Sequence, residues 1–402
     1  MPERKIVEPV SIKYAWIFHD DEDDGFQSTN VVVHKIETGD ATPIKKAPHK
    51  NPFVLRQVMN KQVQKMLDKG VVSPSHSPWS SPVVLVPKKS ENGVPRYRFC
   101  LDFRSLNAVI KYDSYLLYRF EETTSTLSGS KYFSLLDCYS GFWQINIHEE
   151  QQEKTAFSVP SLGYYRFNRL PYRLSNSPAS FQRLMDLILK NLTRADCWVF
   201  IDDVTVYSDT TEEHAKRLSD IFERCRRANL QLQPQESVFA KAKVTYLGFE
   251  LSYRGIEALP DKMKAVQNFP IPRSVTDVRS FLGLASFYRR LTPQFPDIAK
   301  AVTHLTKKDK IWDWNQQYQE SFDELKSKLS NTPVLPFPDF KLPFILTTNA
   351  STVGLGAFLS QVQKGIEKPI SSASRQLNKA GRVYSALELE TLAILWATKY
   401  FR

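Results

Sequence analysis

Residues 197–207 read Cys197-Trp198-Val199-Phe200-Ile201-Asp202-Asp203-Val204-Thr205-Val206-Tyr207, and this stretch decides the fold. Two apolar runs flank a pair of carboxylates, which predicts two strands joined at a tight Asp-Asp tip. Buried carboxylates are costly unless paired or bound to a metal, and adjacent ones repel unless a cation lies between them. Taken alone, Asp-Asp also makes an ordinary hairpin turn. A third acid, Asp137, ends the apolar run Tyr132-Phe133-Ser134-Leu135-Leu136. Adjacent strands would set Asp137 against Asp202, and such an oxygen-rich group suits Mg²⁺.

Around this centre the chain has 402 residues, with 54 Lys plus Arg against 43 Asp plus Glu and a net charge of +11. That length allows two or three domains. Cys100, Cys138, Cys197 and Cys225 form no CxxC pair, which argues against a disulfide scaffold or a zinc module. No apolar run reaches the ~18 residues of a membrane span, and Met1-Pro2-Glu3-Arg4-Lys5 is no signal peptide. A reduced cytoplasmic protein with no membrane partner is expected. The excess positive charge suggests a polyanion, nucleic acid above all. None of the seven histidines lies in a metal-ligand spacing.

Residues 1–45 read as a loosely structured N-terminal linker region containing the solvated acidic run 20–24. Val54, Val58, Gln62, Met66 and Leu67 fall near a 3.6 period, predicting a helix over 51–69 that ends at Gly70. Val83–Val86 and Arg98–Asp102 read as a hairpin with a basic tip around Asn92-Gly93. Ser177 and Pro178 suit N-cap and first helical position for a helix burying Phe181, Leu184, Met185, Ile188 and Leu192. A helix over 212–228, a strand over 244–249 and mostly helix from 274 to 330 follow. From 343, two strands lead to a helix over 386–400.

These segments carry a resemblance. Phe200-Ile201-Asp202-Asp203 resembles the aromatic-x-Asp-Asp box of reverse transcriptases, and residues 133–145, with Asp137, resemble the first-aspartate motif. Residues 98–107 resemble the fingers motif, residues 170–182 the substrate-positioning helix, and residues 279–290 the connection segment of gypsy-like LTR retrotransposon polyproteins. The resemblance implies an α+β right-hand polymerase of fingers, palm and thumb, followed by a connection and a truncated RNase H-like domain. It assigns 46–250 to fingers and palm, 251–335 to thumb and connection, and 336–402 to the partial RNase H-like domain. It implies RNA-directed DNA polymerisation with two Mg²⁺ held by Asp137, Asp202 and Asp203. Partners would be an RNA template, a DNA primer or template, and deoxynucleoside triphosphates. Lys88 and Arg98 match residues holding the incoming triphosphate, Phe142 the steric gate, and Gln182 the helix beneath the nucleotide. Leu247 and Gly248, in Tyr246-Leu247-Gly248-Phe249, match the primer grip. A retroelement particle or nuclear entry stays open alongside the cytoplasm, and oligomeric state is not legible.

Departures from the family pattern matter equally. Arg173 stands where relatives carry Gly; its side chain either fills the space left for nucleotide or swings out toward phosphate. Leu116 and Tyr118 replace two prolines, and Gln233-Pro234-Gln235-Glu236 replaces a segment with a lysine pair, one being the expected proton donor. Asn349 replaces the first RNase H aspartate, while Glu390 matches the helix carboxylate. The remaining two aspartates would lie beyond Arg402, so no RNA cleavage and an exposed edge strand are expected. No protease box, zinc knuckle or integrase pattern is present, as expected for one stretch of a polyprotein or a decayed genomic copy. The alternative function is a catalytically dead fragment that only binds nucleic acid.

Overall fold

The acid-bearing runs pair in a four-stranded antiparallel sheet. Its strands are β1 (Tyr132–Cys138), β2 (Cys197–Phe200), β3 (Asp203–Ser208) and β4 (Leu232–Lys241), in the order β4-β1-β3-β2. Side chains alternate between the faces of a strand. One face therefore carries Leu136, Cys138, Val204, Val206 and Val199 into a core shared with helices α1 (Ser177–Ile188) and α2 (Thr211–Arg227). Those helices contribute Phe181, Leu184 and Met185, and Leu218, Ile221 and Phe222. The same alternation sends Asp137 and Asp203 to the opposite face.

The computed structural model describes residues 2–19, 27–49, 52–91, 94–118, 126–160, 162–292, 295–308, 310–352, 354–378 and 380–402. The acidic run 20–24, the hairpin tip Asn92-Gly93 and Arg119 lie outside the described residues. Two compact units are formed, one from 1–123 with 132–241 and one from 124–131 with 242–402. No helix among the described residues is long and apolar enough to cross a membrane.

In the first unit the N-terminal segment is folded, not a loose linker. A helix, Pro2–Lys13, and a strand, Thr29–His34, occur there, and the strand pairs in parallel with Ile145–Ile147. Val7, Tyr14, Ile17 and Ile36 are buried, and Tyr14 packs edge-on to Phe222 of α2 at 5.8 Å. Val7, Val10, Tyr14 and Ile17 recur at helical spacing, but the nearby acidic run masks that signal. The helix Phe53–Asp68 forms where expected, yet its buried stripe is Met59, Val63 and Met66 while Val54 is exposed. The apolar positions alone left the face ambiguous by one residue. Similarly, the N-cap position of α1 is Asn176 rather than Ser177, with no side-chain capping bond; the Ser177 hydroxyl donates to the Pro171 carbonyl at 3.1 Å.

In the second unit, among the described residues, four α-helices lie between 260 and 330: Pro260–Gln267, Val275–Phe287, Phe295–His304 and Gln316–Ser330. Beyond them come β5 (Ile345–Ala350), β6 (Gly354–Gln363), β7 (Ile366–Gln376) and helix α3 (Ala386–Tyr400). Three strands thus replace the two expected. Lys364 and Gly365 both have positive φ, +54° and +77°, and form a two-residue hairpin turn that the sequence signals less clearly than Asn-Gly would. Leu389 and Ala393 of α3 close a small core with Leu355 and Leu377.

Candidate active site

The site is built on the β2–β3 turn. Ile201 sits in the left-handed region at φ +57°, which a β-branched residue rarely adopts. Its amide donates to Gln182 Oε1 at 2.9 Å. Past the turn, Asp203 lies directly opposite Asp137 on the β3–β1 ladder. Register makes Asp203 the cross-strand partner of Asp137, while Asp202, in the turn, is the carboxylate whose charge bears most on Asp137. Asp202 is also close to the loop after β1. A Cβ at Gly141 would lie 3.4 Å from Asp202 Cβ and 3.2 Å from the Phe181 ring, so glycine there permits the approach.

The three carboxyls are half-buried and feel one another. Burial, then Asp202, Glu236 and Asp203, push Asp137 up to about 7. Burial, then Asp202 and Glu236, raise Asp203 to about 6. Asp202 is also raised, by burial first and by Glu236. Like charges in a partly desolvated site disfavour ionisation; a cation among them would reverse that. Among the described residues no three His, Cys, Asp or Glu side chains gather tightly enough to hold a metal ion by themselves. The donor set of Asp137, Asp202 and Asp203 is all oxygen, which fits a hard divalent cation.

Beside the carboxylates stands an aromatic wall. Half-buried Phe142 lies edge-on to Tyr172 at 5.3 Å and to Phe181 at 5.7 Å. The Arg98 guanidinium lies 5.9 Å from the Tyr172 ring centre. Burial and then Asp202 push the Tyr172 phenol up to about 12, against the opposing pull of Arg98. Tyr172 therefore stands within electrostatic reach of both the cation and the acids. Sequence reasoning passed over it; the signal was an aromatic residue directly before a position that needs left-handed backbone. That position is Arg173, at φ +72°. Its side chain is exposed and its charge reaches Cys100 together with that of Arg98, and the departure from glycine is also felt in the backbone. Asn107 clamps the loop, donating to the Arg173 carbonyl and accepting from Ser175 N, both at 3.0 Å.

Other expected residues are placed as follows. Lys88 pairs through its backbone with Arg96, and Val86 with Arg98; the Lys88 side chain lies outside what is described. Gln182 is fully buried and bonded to Ile201, Asp186 and Val199. Its expected substrate contact is therefore corrected to a structural hold on the turn, because α1 turns this residue toward β2. Glu236, exposed on β4, adds a fourth negative charge to the field of Asp137, Asp202 and Asp203.

In the second unit, Leu247 (φ +44°) and Gly248 (φ +81°) make a hairpin turn between Lys243–Tyr246 and Phe249–Ser252, not one continuous strand. Gly248 O accepts from Tyr288 Oη at 2.8 Å, and a Cβ on Gly248 would strike the Phe287 ring at 2.7 Å. Asn349 is exposed on β5 opposite Gly356. The neighbouring Ala350 N donates to Glu390 Oε1 at 3.2 Å, so these two positions do converge. A cavity of about 320 Å³ beside them is lined by Asn349, Thr347, Ser372, Ser374 and Asp297.

A sheet with paired acids at the end of a hairpin, backed by two helices and followed by a smaller strand–helix unit, defines a nucleic-acid polymerase joined to an RNase H-like domain. Residues 86–251 match the family described as reverse transcriptase (RNA-dependent DNA polymerase), and residues 314–402 the RNase H-like domain found in reverse transcriptase. The chain thus carries a reverse transcriptase domain of the kind found in gypsy-like retrotransposon Pol polyproteins. It is 40% identical over 380 residues to the retrovirus-related Pol polyprotein from transposon 297 of Drosophila melanogaster, covering 93% of this chain and 35% of that protein. For the polyprotein from transposon gypsy of the same organism the values are 36%, 91% and 36%. The chain therefore spans little more than a third of the length of these relatives. Among solved structures, the foamy viral protease-reverse transcriptase in complex with RNA/DNA hybrid superposes with TM-score 0.87 at 25% identity, over 99% of this chain and 53% of that one. The same protein in complex with dsDNA gives equal values with 82% of that chain covered. Reverse transcriptases generally use divalent metal ions in catalysis.

Proposed function

We propose that this chain extends a DNA primer on an RNA or DNA template, joining the primer 3′-hydroxyl to an incoming deoxynucleoside triphosphate. The observation that carries this reading is the register of Asp203 opposite Asp137, with Asp202 in the adjoining turn and all three carboxyls raised by burial and by neighbouring negative charge. Asp137, Asp202 and Asp203 would hold two Mg²⁺. When bound, such ions activate the attacking hydroxyl and neutralise charge on the leaving pyrophosphate. Arg98 supplies a forked cationic donor for triphosphate oxygens. Phe142, held edge-on by Tyr172 and Phe181, offers a flat ring that would exclude a 2′-hydroxyl. Tyr172 shares that wall and links it to Arg98. The backbone at Leu247-Gly248, rigid through Tyr288 and Phe287, suits a grip on the primer. Affinity for primer–template would rest mainly on phosphates and fall steeply with salt. Asn349 offers one neutral oxygen where a carboxylate is needed, so we assign no RNA cleavage to the second unit.

Glu236 favours a second reading. A carboxylate where a proton-donating lysine is expected adds repulsion and removes the acid, as in a chain that binds nucleic acid without turnover. Primer extension on a homopolymer RNA template with Mg²⁺, with Asp202→Asn as control, separates the two. Extension by the parent chain that vanishes in the variant supports polymerisation. Salt-sensitive primer–template binding with no extension supports the binding-only reading.

A further inference from the structure

We propose that Tyr115, acting through Asp186 and Gln182, is a positioning residue for the turn that carries Asp202; the inference rests on the polymerase reading above. The strained Ile201 backbone needs an external hold, because a β-branched residue in the left-handed region persists only where its surroundings over-determine it. That hold is Gln182 Oε1, which accepts from Ile201 N at 2.9 Å. A glutamine amide can flip, and the flipped form would set its NH₂ against the Ile201 N–H. The Val199 carbonyl, 3.5 Å from Gln182 Nε2, opposes this weakly, and Asp186 opposes it more strongly. Its Oδ1 accepts from Gln182 Nε2 at 3.1 Å, and an ionised carboxylate has no proton to offer. Gln182 is fully buried, so the surrounding protein, not bulk water, fixes its orientation.

Asp186 is itself fixed by Tyr115, whose hydroxyl donates to Oδ2 at 2.7 Å. Tyr115 is held on two further sides. The Arg183 guanidinium lies 4.6 Å from the ring centre, and Arg183 bonds both oxygens of Asp113, at 2.8 and 3.0 Å. Tyr115 N donates to Asp113 Oδ1 at 3.1 Å. A continuous set of bonds therefore runs from the extended segment at Asp113–Tyr115, through α1, to the backbone that aims Asp202. Losing the phenol releases one oxygen of the half-buried Asp186 to solvent and loosens its hold on the amide.

The test pairs amide hydrogen exchange over residues 199–204 with primer-extension kinetics in Tyr115→Phe, Asp186→Ala and Asp186→Asn. Tyr115→Phe keeps the ring over which Arg183 stacks and removes only the hydroxyl. Losing one hydrogen bond should speed exchange at the turn about fivefold and lower kcat by a similar factor, leaving KM for the nucleotide within about twofold. Asp186→Ala should exceed it. Asp186→Asn should fall nearer the parent, since its carbonyl can still accept from Gln182 while Tyr115 Oη accepts from its NH₂. A parent chain that does not extend primers would end the polymerase reading, yet faster exchange in Tyr115→Phe would still support the hold on the turn. Unchanged exchange at 199–204 in both Tyr115→Phe and Asp186→Ala overturns the proposal. So does a lowered melting temperature with kcat and turn exchange unaltered.

Discussion

The two units present the same kind of carboxylate chemistry in opposite states. In the first, Asp137, Asp202 and Asp203 are half-buried and share one field with Glu236. In the second, Asn349 and Glu390 are exposed, and one of the two positions carries no charge. Burial makes the difference consequential. A desolvated acid cluster is destabilising until a cation enters, and that same penalty becomes affinity for the cation. An exposed amide and one solvated carboxylate hold no such reserve. Asp202→Asn should therefore lower primer extension by about a thousandfold or more, the scale of losing a principal electrostatic contact in a catalytic site. Glu390→Gln should leave extension within about twofold of the parent, being in the other site. Equal losses in both variants would break the contrast, as would Mg²⁺-dependent cleavage of the RNA in a hybrid.

Acidity sharpens the contrast without any assay of turnover. Asp137, at about 7 when folded against 3.8 for the free side chain, binds more protons folded than unfolded between those values. Its contribution to stability therefore worsens as pH rises through that window. The buried histidines act oppositely. His34 and His214 are lowered to about 4 from 6.5, chiefly by burial. His214 lies between Ser134 Oγ and Ser208 Oγ at 2.7 and 2.9 Å. Their unfolded forms take up protons first, so stability is lost as pH falls from 6.5 toward 4, by roughly 3 kcal/mol for each. Urea midpoints of the metal-free chain across pH 4 to 8 test both signs. Asp137→Asn should gain stability over the parent near pH 8 and lose that advantage near pH 4, whereas His214→Asn should flatten the acid limb. Millimolar Mg²⁺ should erase the gain in Asp137→Asn. Parallel profiles for all three proteins would show that these groups are not desolvated as described.

Much of this was legible because strand alternation and fixed residue spacing survive in a single chain. The apolar run ending on Asp137 and the Asp202-Asp203 tip located the sheet and its acids. What periodicity could not supply was register: nothing in the two runs says that Asp203 is the ladder partner of Asp137 while Asp202 bears on it from the turn. Nor could it supply the direction of Gln182, since a polar residue on an amphipathic helix reads as exposed until a strained turn is seen to need its amide. The N-terminal helix was missed because its apolar residues are sparse, and Tyr14 and Phe18 just past it gain their meaning only from Phe222 of α2. Tyr172 was overshadowed by the departure beside it.

That departure gives the smallest of the expected effects and separates two ways of decay. At Asn349 a charge is missing, and Glu390, which converges on that position, is solvated. At Arg173 every acid is still present and the backbone is wrong for its residue. Holding a non-glycine residue at φ +72° costs on the order of 1 kcal/mol, partly offset because glycine adds freedom to the unfolded chain. Arg173→Gly should therefore raise stability by about 0.5–1 kcal/mol, read as a higher urea midpoint at unchanged slope. The exposed side chain leaves no cavity behind, and Asn107 can still bond the carbonyl of residue 173 and the amide of Ser175. If extension rises with stability, backbone strain at the aromatic wall limited the chain. If stability rises while extension falls, the arginine had become useful to the triphosphate, and this departure is an adaptation. Lower stability would mean that the left-handed geometry is not what the substitution disturbed.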